Sequence, residues 1–295
     1  MSARLTVPKT YKMLIGGAFV RGDSGKTRRV RSGEVEGSGD GAHVHVPLAS
    51  RKDVRDAVAA ARSAAGAWGR RGAYERGLVL YRLAEMLESR GPELVVALRR
   101  GGAKEADARR EVNAAVDRCV YYAGFCDKVT ALLGSVNPVA GPYLGYSTVE
   151  PAGVVGVVVS AASPLVGLVS WVLPALAAGN VVVALADAGD PRPAALFAEA
   201  SATSDLPAGV VNVLFGEATV ARELARHGDI NALVGDIDAA DARADLEREA
   251  AATVKRVTLR PVPDPREAID PQAGQGLGYL EPLVETKSVW HPVGI

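Results

Sequence analysis

The chain has 295 residues, 48% hydrophobic and 23% charged, with a formal net charge of zero. That composition fits a globular protein with one large domain or two modest ones, and it gives no electrostatic case for binding nucleic acid or an anionic membrane. Two cysteines make no disulfide framework and point to a reducing, cytoplasmic setting.

The start of the chain has no apolar core of signal-peptide type. YKMLIGGAFVRG, GKTRRVR and AHVHVPLA read as short strands joined by glycine-rich turns. The glycines at Ser32-Gly33 and from Glu36 to Ala42 do not stand between a strand and a helix, so they make no dinucleotide fingerprint. His43 and His45 share a strand face. With no third ligand nearby in sequence they read as a polar edge, and no metal is expected.

Ser50 is placed as the N-cap of an amphipathic helix, RKDVRDAVAAARSAAGAW. A second helix, AYERGLVLYRLAEMLESRG, ends at Gly91, and a third begins near Pro92. A fourth runs from about Ala106 to Leu133 and carries Cys119 and Cys126 near one face. Both thiols read as small core residues, with a redox pair the weaker alternative because CxxC spacing is absent.

PVAGPYLGYSTVEP, Pro138 to Pro151, reads as a strand pair or an extended arm. No charged residue then occurs between Glu150 and Asp187, which invites a membrane span. Pro151, Gly153, Gly156, Pro164, Pro174 and Gly179 interrupt the run, and the β-branched pieces GVVGVVVS and NVVVALA read as buried parallel strands instead. GVVNVLF, INALVG and VKRVTL continue the alternation, with helices starting near Pro164, Pro193, Ala218 and Asp238. This predicts an α/β fold with an open, Rossmann-like parallel sheet and flanking helices. The Pro- and Gly-rich residues after Val262 read as a linker followed by a short arm or edge strand, SVWHPVGI. The expected division is therefore 1–262 and 263–295, and the tail could dock in cis or in trans.

IGGAFV, DVRDAVAAARSAAGAW with its terminal Trp68, EPAGVVGVVV, PALAAGNVVV and LPAGVVNVLFG stand in order along the chain. In wording and order they resemble the aldehyde dehydrogenase superfamily over roughly residues 12–260. The resemblance implies a nicotinamide-cofactor domain and an oligomerisation arm at 138–151. It also implies that the family's catalytic domain is missing from this chain.

Several positions depart from the family pattern. Where the family reads PWNFP, this chain has Ser160-Ala161-Ala162-Ser163-Pro164. Ala162 lacks the amide that helps hold the oxyanion, and losing one such donor costs about 2.7–4 kcal/mol of transition-state stabilisation. The lysine of LKPSE, a ribose ligand, is matched by Leu185 within Ala184-Leu185-Ala186-Asp187-Ala188. FTGS becomes Leu233-Val234-Gly235-Asp236, placing a carboxylate where a pyrophosphate would lie. Two unit charges about 4 Å apart at an effective dielectric near 20 repel by roughly 4 kcal/mol. Asp236 is expected to cap the next helix instead. ELGG, which holds the general base, is matched by Leu259-Arg260-Pro261-Val262, and arginine accepts no proton. No cysteine follows Cys126; Ser288 has no identifiable base, and His291 lies in the expected arm.

The remaining cofactor positions are Ser160, Ala161, Leu185, Gly216, Gly235 and Asp236; the degenerate catalytic positions are Ala162 and Arg260. The leading expectation is a non-catalytic subunit, structural or regulatory, in an oligomer with itself or with a full-length relative. No cofactor is expected. The alternative is an oxidoreductase that binds NAD or NADP in an altered mode. A third reading is a sensor whose crevice is lined by Ala161, Ala162, Leu185 and Val234.

Overall fold

The computed structural model describes residues 9–31 and 43–293, so the loop expected from Glu36 to Ala42 lies outside the described residues. Strands β1 (Met13–Ile15) and β2 (Ala18–Val20) form a hairpin whose turn glycines, Gly16 and Gly17, both have positive φ, +58° and +82°. Strands β3 (Thr27–Arg31) and β4 (His43–Pro47) pair as a separate antiparallel ribbon. Helix α1 (Arg51–Arg70) starts at Ser50 with a capping box. The Ser50 Oγ accepts from the Asp53 N–H, and the Asp53 carboxylate accepts from the Ser50 N–H at 2.7 Å. Val54, Ala57, Val58, Ala61 and Trp68 make its buried stripe.

Helices α2 (Ala73–Ser89) and α3 (Gly91–Arg100) follow. The long fourth helix expected from the sequence is broken into α4 (Glu105–Ala123) and α5 (Val129–Leu133). Gly124, a poor helix former, caps α4, and the Cys126 thiol bonds back to the Tyr122 carbonyl at 3.3 Å. A Cβ on Gly77 of α2 would sit 2.8 Å from the Ala123 carbonyl oxygen, so glycine is what lets the two helices approach there. Both thiols are buried and unpaired, and burial pushes both up, Cys126 to about 11.

Strands β5 (Ser135–Asn137) and β6 (Tyr143–Pro151) lead into the α/β body. There β7 (Val154–Val158), α6 (Val166–Ala177), β8 (Val181–Asp187), α7 (Arg192–Ala202), β9 (Val211–Gly216), α8 (Ala218–Arg226), β10 (Ala232–Asp236), α9 (Ala240–Ala251) and β11 (Arg256–Arg260) alternate as expected. The sheet order is β11-β10-β7-β8-β9-β1-β2; the first five strands are parallel and the hairpin closes one edge antiparallel. The charge-free run is therefore β7, α6 and β8. Helix α6 is buried along nearly its whole length by protein, and among the described residues no helix is long and apolar enough to cross a membrane. Each fully buried Val, Leu or Trp there contributes about 1.5–3 kcal/mol to folding.

The tail is more ordered than a linker. It forms α10 (Pro265–Ile269), α11 (Leu277–Leu280), a 3-10 turn (Glu281–Leu283) and β12 (Val284–Pro292). Tyr279, Leu280, Leu283 and Val284 are buried, and the Asn180 amide, itself fully buried, donates to the Leu283 carbonyl at 2.9 Å and accepts from the Gly153 N–H at 2.8 Å. Strand β12 pairs antiparallel with β6 from Val284↔Pro151 to Pro292↔Tyr143, giving a three-stranded sheet ordered β12-β6-β5. Within this chain the tail pairs with β6, and the segment read as a strand pair or an extended arm supplies the middle strand of that sheet.

Candidate active-site crevice

The chain runs from β7 to β8 and β9 on one side, then returns to β10 and β11 on the other, so the strand order reverses between β7 and β10. Open α/β sheets bind ligands at such a reversal, beyond the carboxyl ends of the strands. A cleft of about 890 Å³ lies there. Ser160 and Ala161 line it just past β7, Leu185 from β8, Gly216 from the end of β9 and Asp236 from the end of β10.

The structure does not bring together all the residues expected at this site. Ala162 faces a smaller cavity with Glu111, Ser163 and Val166, and its N–H donates to the Ser160 Oγ at 3.2 Å. Val234 is buried within β10 and is no part of the cleft wall. Gly235 is a packing position: a Cβ there would stand 2.2 Å from the Val158 carbonyl oxygen, so only glycine lets β10 and β7 close at this point. Gly216 lets Val220 of α8 and Leu185 approach within 3.0 Å of where a Cβ would be.

Asp236 does not cap the next helix, contrary to expectation. The N-cap of α9 is Ala239, which makes no side-chain cap. Asp236 is 6% exposed, and its carboxylate accepts from the Trp171 indole N–H on α6 at 3.0 Å. Burial raises its pKa from 3.8 to about 6, partly offset by the Trp171 hydrogen bond and the nearby Arg260 charge. Arg260 stands beside Asp236 in register on β11. Its guanidinium lies 5.0 Å from the Trp171 ring centre and 4.9 Å from that of Tyr279, and it donates to the Gly278 carbonyl. Arg260 is thus tied into a cluster with Asp236, Trp171 and Tyr279.

Sequence reasoning missed Trp171, Tyr279 and Glu111. The Glu111 carboxylate on α4 accepts from the Leu165 and Val166 N–H groups at 3.0 and 3.1 Å, so the start of α6 is satisfied by an internal anion. Burial raises the Glu111 pKa, against those two hydrogen bonds. The bonds span more than fifty residues, and no local pattern announces them.

The cleft wall also carries Asp187, Glu217, Asp238, Asp241 and Asp245, against Arg222 and Arg248. Both arginines are engaged by Asp245, at 2.5 and 3.0 Å. Glu217 pairs with Arg28 at 2.8 Å, and Asp238 accepts from the Val262 N–H at 3.1 Å. This donor set suits a pyrophosphate poorly: its cations are committed, and Asp238 and Asp241 flank the start of α9. Among the described residues no acid, histidine or thiol cluster could hold a metal.

Residues 34–260 match the family model described as the aldehyde dehydrogenase family. The chain belongs to that family. It is 36% identical over 235 residues to cytosolic 10-formyltetrahydrofolate dehydrogenase of Mus musculus, covering 77% of this chain and 25% of the relative. It is 35% identical over 257 residues to the mitochondrial benzaldehyde dehydrogenase of Antirrhinum majus, covering 84% and 46%. Among solved structures, PnpE in complex with nicotinamide adenine dinucleotide is 31% identical with a TM-score of 0.80, covering 86% of this chain and 51% of that one. The NAD-dependent aldehyde dehydrogenase of Sinorhizobium meliloti is 31% identical with a TM-score of 0.79, covering 86% and 50%. This aldehyde dehydrogenase-family chain spans about half the length of those solved relatives and a quarter to a half of the two curated ones.

Proposed function

We infer that the chain is a non-catalytic aldehyde dehydrogenase-like subunit, working in a reducing compartment such as the cytosol through association with itself or with a full-length relative. The observation that carries the reading is Asp236. A buried carboxylate ends β10 at the crevice, tied to Trp171 and flanked by Arg260, where the family's reaction would need a pyrophosphate neighbour and a base. Leu185 and Ala162 add two positions with no side-chain donor, and the two buried thiols, on α4 and in the turn after it, are held protonated. Association is supported by the three-stranded sheet, whose β12 and β5 edges are unpaired among the described residues.

The second reading, a chain that binds NAD or NADP in an altered mode, is favoured by the size of the crevice and by the dinucleotide complex of PnpE. Calorimetric titration with both dinucleotides separates the two. The inference expects no saturable heat into the millimolar range; micromolar binding of either would sink it.

A further inference from the structure

Helix α2 buries one stripe, Val79, Leu80, Leu83, Ala84 and Leu87, against α4, α6 and α7. Its opposite face is not the polar surface that such a helix usually turns to water. Tyr74 is 72% exposed, Leu78 55% and Tyr81 52%. With 3.6 residues per turn these three fall within about 60° of one another around the helix axis. A single exposed apolar side chain needs no explanation, but three in one stripe do.

Glu75 and Arg82 border this stripe on the same side, about two turns apart along the helix. Both are well exposed and are held by neighbours in the chain: Arg71 lies 3.8 Å from Glu75, and Arg82 donates to Glu85 at 2.6 Å. Solvent-exposed pairs of this kind contribute little to stability, so they yield readily to a new partner. A two-fold axis at Leu78, relating antiparallel copies of α2, keeps this border on the same side in both copies. It sets Leu78 against Leu78, Tyr74 against Tyr81 of the second copy, and Glu75 against Arg82 of the second copy, each of these last two contacts occurring twice. A parallel arrangement would lay the charged border of one copy along the Tyr81 border of the other and make no such ion pairs. The charge pattern is therefore self-complementary in the antiparallel sense.

We propose that the outer face of α2 docks a second copy of this chain, antiparallel about a two-fold axis at Leu78. The proposal rests on the reading of the chain as an associating subunit and names one surface that it uses. One helix pair is small beside the ~1,200–2,000 Å² that stable specific interfaces bury, so this contact acts together with the sheet of β5, β6 and β12.

The test is the mass of the full chain by light scattering over a range of concentrations. Leu78→Glu sets two carboxylates on the axis and should give a smaller assembly than the parent, with far-UV circular dichroism unchanged because Leu78 is exposed. Glu75→Arg and Arg82→Glu each oppose like charges and should each weaken association by about tenfold or more. An equimolar mixture of those two variants rebuilds both cross pairs and should recover the parent mass. Leu78→Cys should give a disulfide-linked dimer on mild oxidation, with or without Trp290→Ala, whereas Glu88→Cys on the same helix should not; Cys119 and Cys126 are buried and do not compete. An assembly that Leu78→Glu leaves unchanged, a mixture no heavier than its components, or Leu78→Cys that links no faster than Glu88→Cys overturns the pairing while the reading of an associating subunit stands. A chain that is monomeric at every concentration overturns the pairing and confines that reading to a full-length relative.

Discussion

Strands β7, β8 and β9 are buried on nearly all their residues, whereas the sheet of β5, β6 and β12 leaves Val136 76% and Trp290 64% exposed, with Tyr143, Leu144 and Tyr146 also open to solvent. Both regions are rich in apolar and aromatic residues. In the parallel sheet those residues have helices on both faces and the backbone is satisfied within the chain. In the arm sheet they have one another: Trp290 and Tyr143 lie tilted at 6.0 Å, and Lys287 pairs with Glu150 at 2.8 Å. The contrast separates residues that make the fold from residues that the fold displays. Exposed apolar area of this kind, on a sheet with open edges among the described residues, is what the proposed association would cover.

The largest expected effect lies in the buried region. Trp171→Ala removes a fully buried ring, the donor to Asp236 and a stacking partner of Arg260 and Tyr279. It should cost about 3–5 kcal/mol of folding stability by urea denaturation. A loss below about 1 kcal/mol would mean that the cluster does not hold the crevice wall together.

Asp236→Asn should act in the opposite direction. The folded carboxyl titrates near 6 instead of 3.8, so the folded state holds its proton more tightly than the unfolded state. Stability therefore falls as pH rises from about 4 to about 6, and above that range the buried charge costs up to about 3 kcal/mol at ~1.36 kcal/mol per pKa unit. The amide keeps an acceptor for Trp171 and removes the charge. Denaturant midpoints should rise at pH 7.5 and be unchanged below pH 4; a gain of equal size at both would show that the charge is not its source.

The smallest effect on folding is expected in the arm. Trp290→Ala should leave stability within about 0.5 kcal/mol, as for exposed sites generally. Light scattering should show a smaller assembly than that of the parent chain. An unchanged mass would remove the arm from any role in association and erase the functional half of the contrast.

Much of the fold was legible in the sequence because its signals are local. The βα alternation, the Ser50 cap and the hairpin at Gly16-Gly17 each depend on residues a few positions apart. The edge strand at the end of the tail was legible too, but the turn at Leu283 before it was not, since it is held by the buried Asn180 amide over a hundred residues away. At the crevice, the sequence pointed to Leu185 and Asp236, which both line it, but misjudged what Asp236 does. Its partner, Trp171, is 65 residues away, and the next helix starts too far on for Asp236 to cap it.

By itself the sequence determined the class of fold and the family. Hydrophobic period and turn chemistry are written along the chain and need no third dimension. Only the tertiary structure decided that Asp236, Trp171, Arg260 and Tyr279 form one cluster and that β12 returns to β6. Those are contacts between distant segments. They are fixed by strand order, register and burial, and one-dimensional patterning carries none of these.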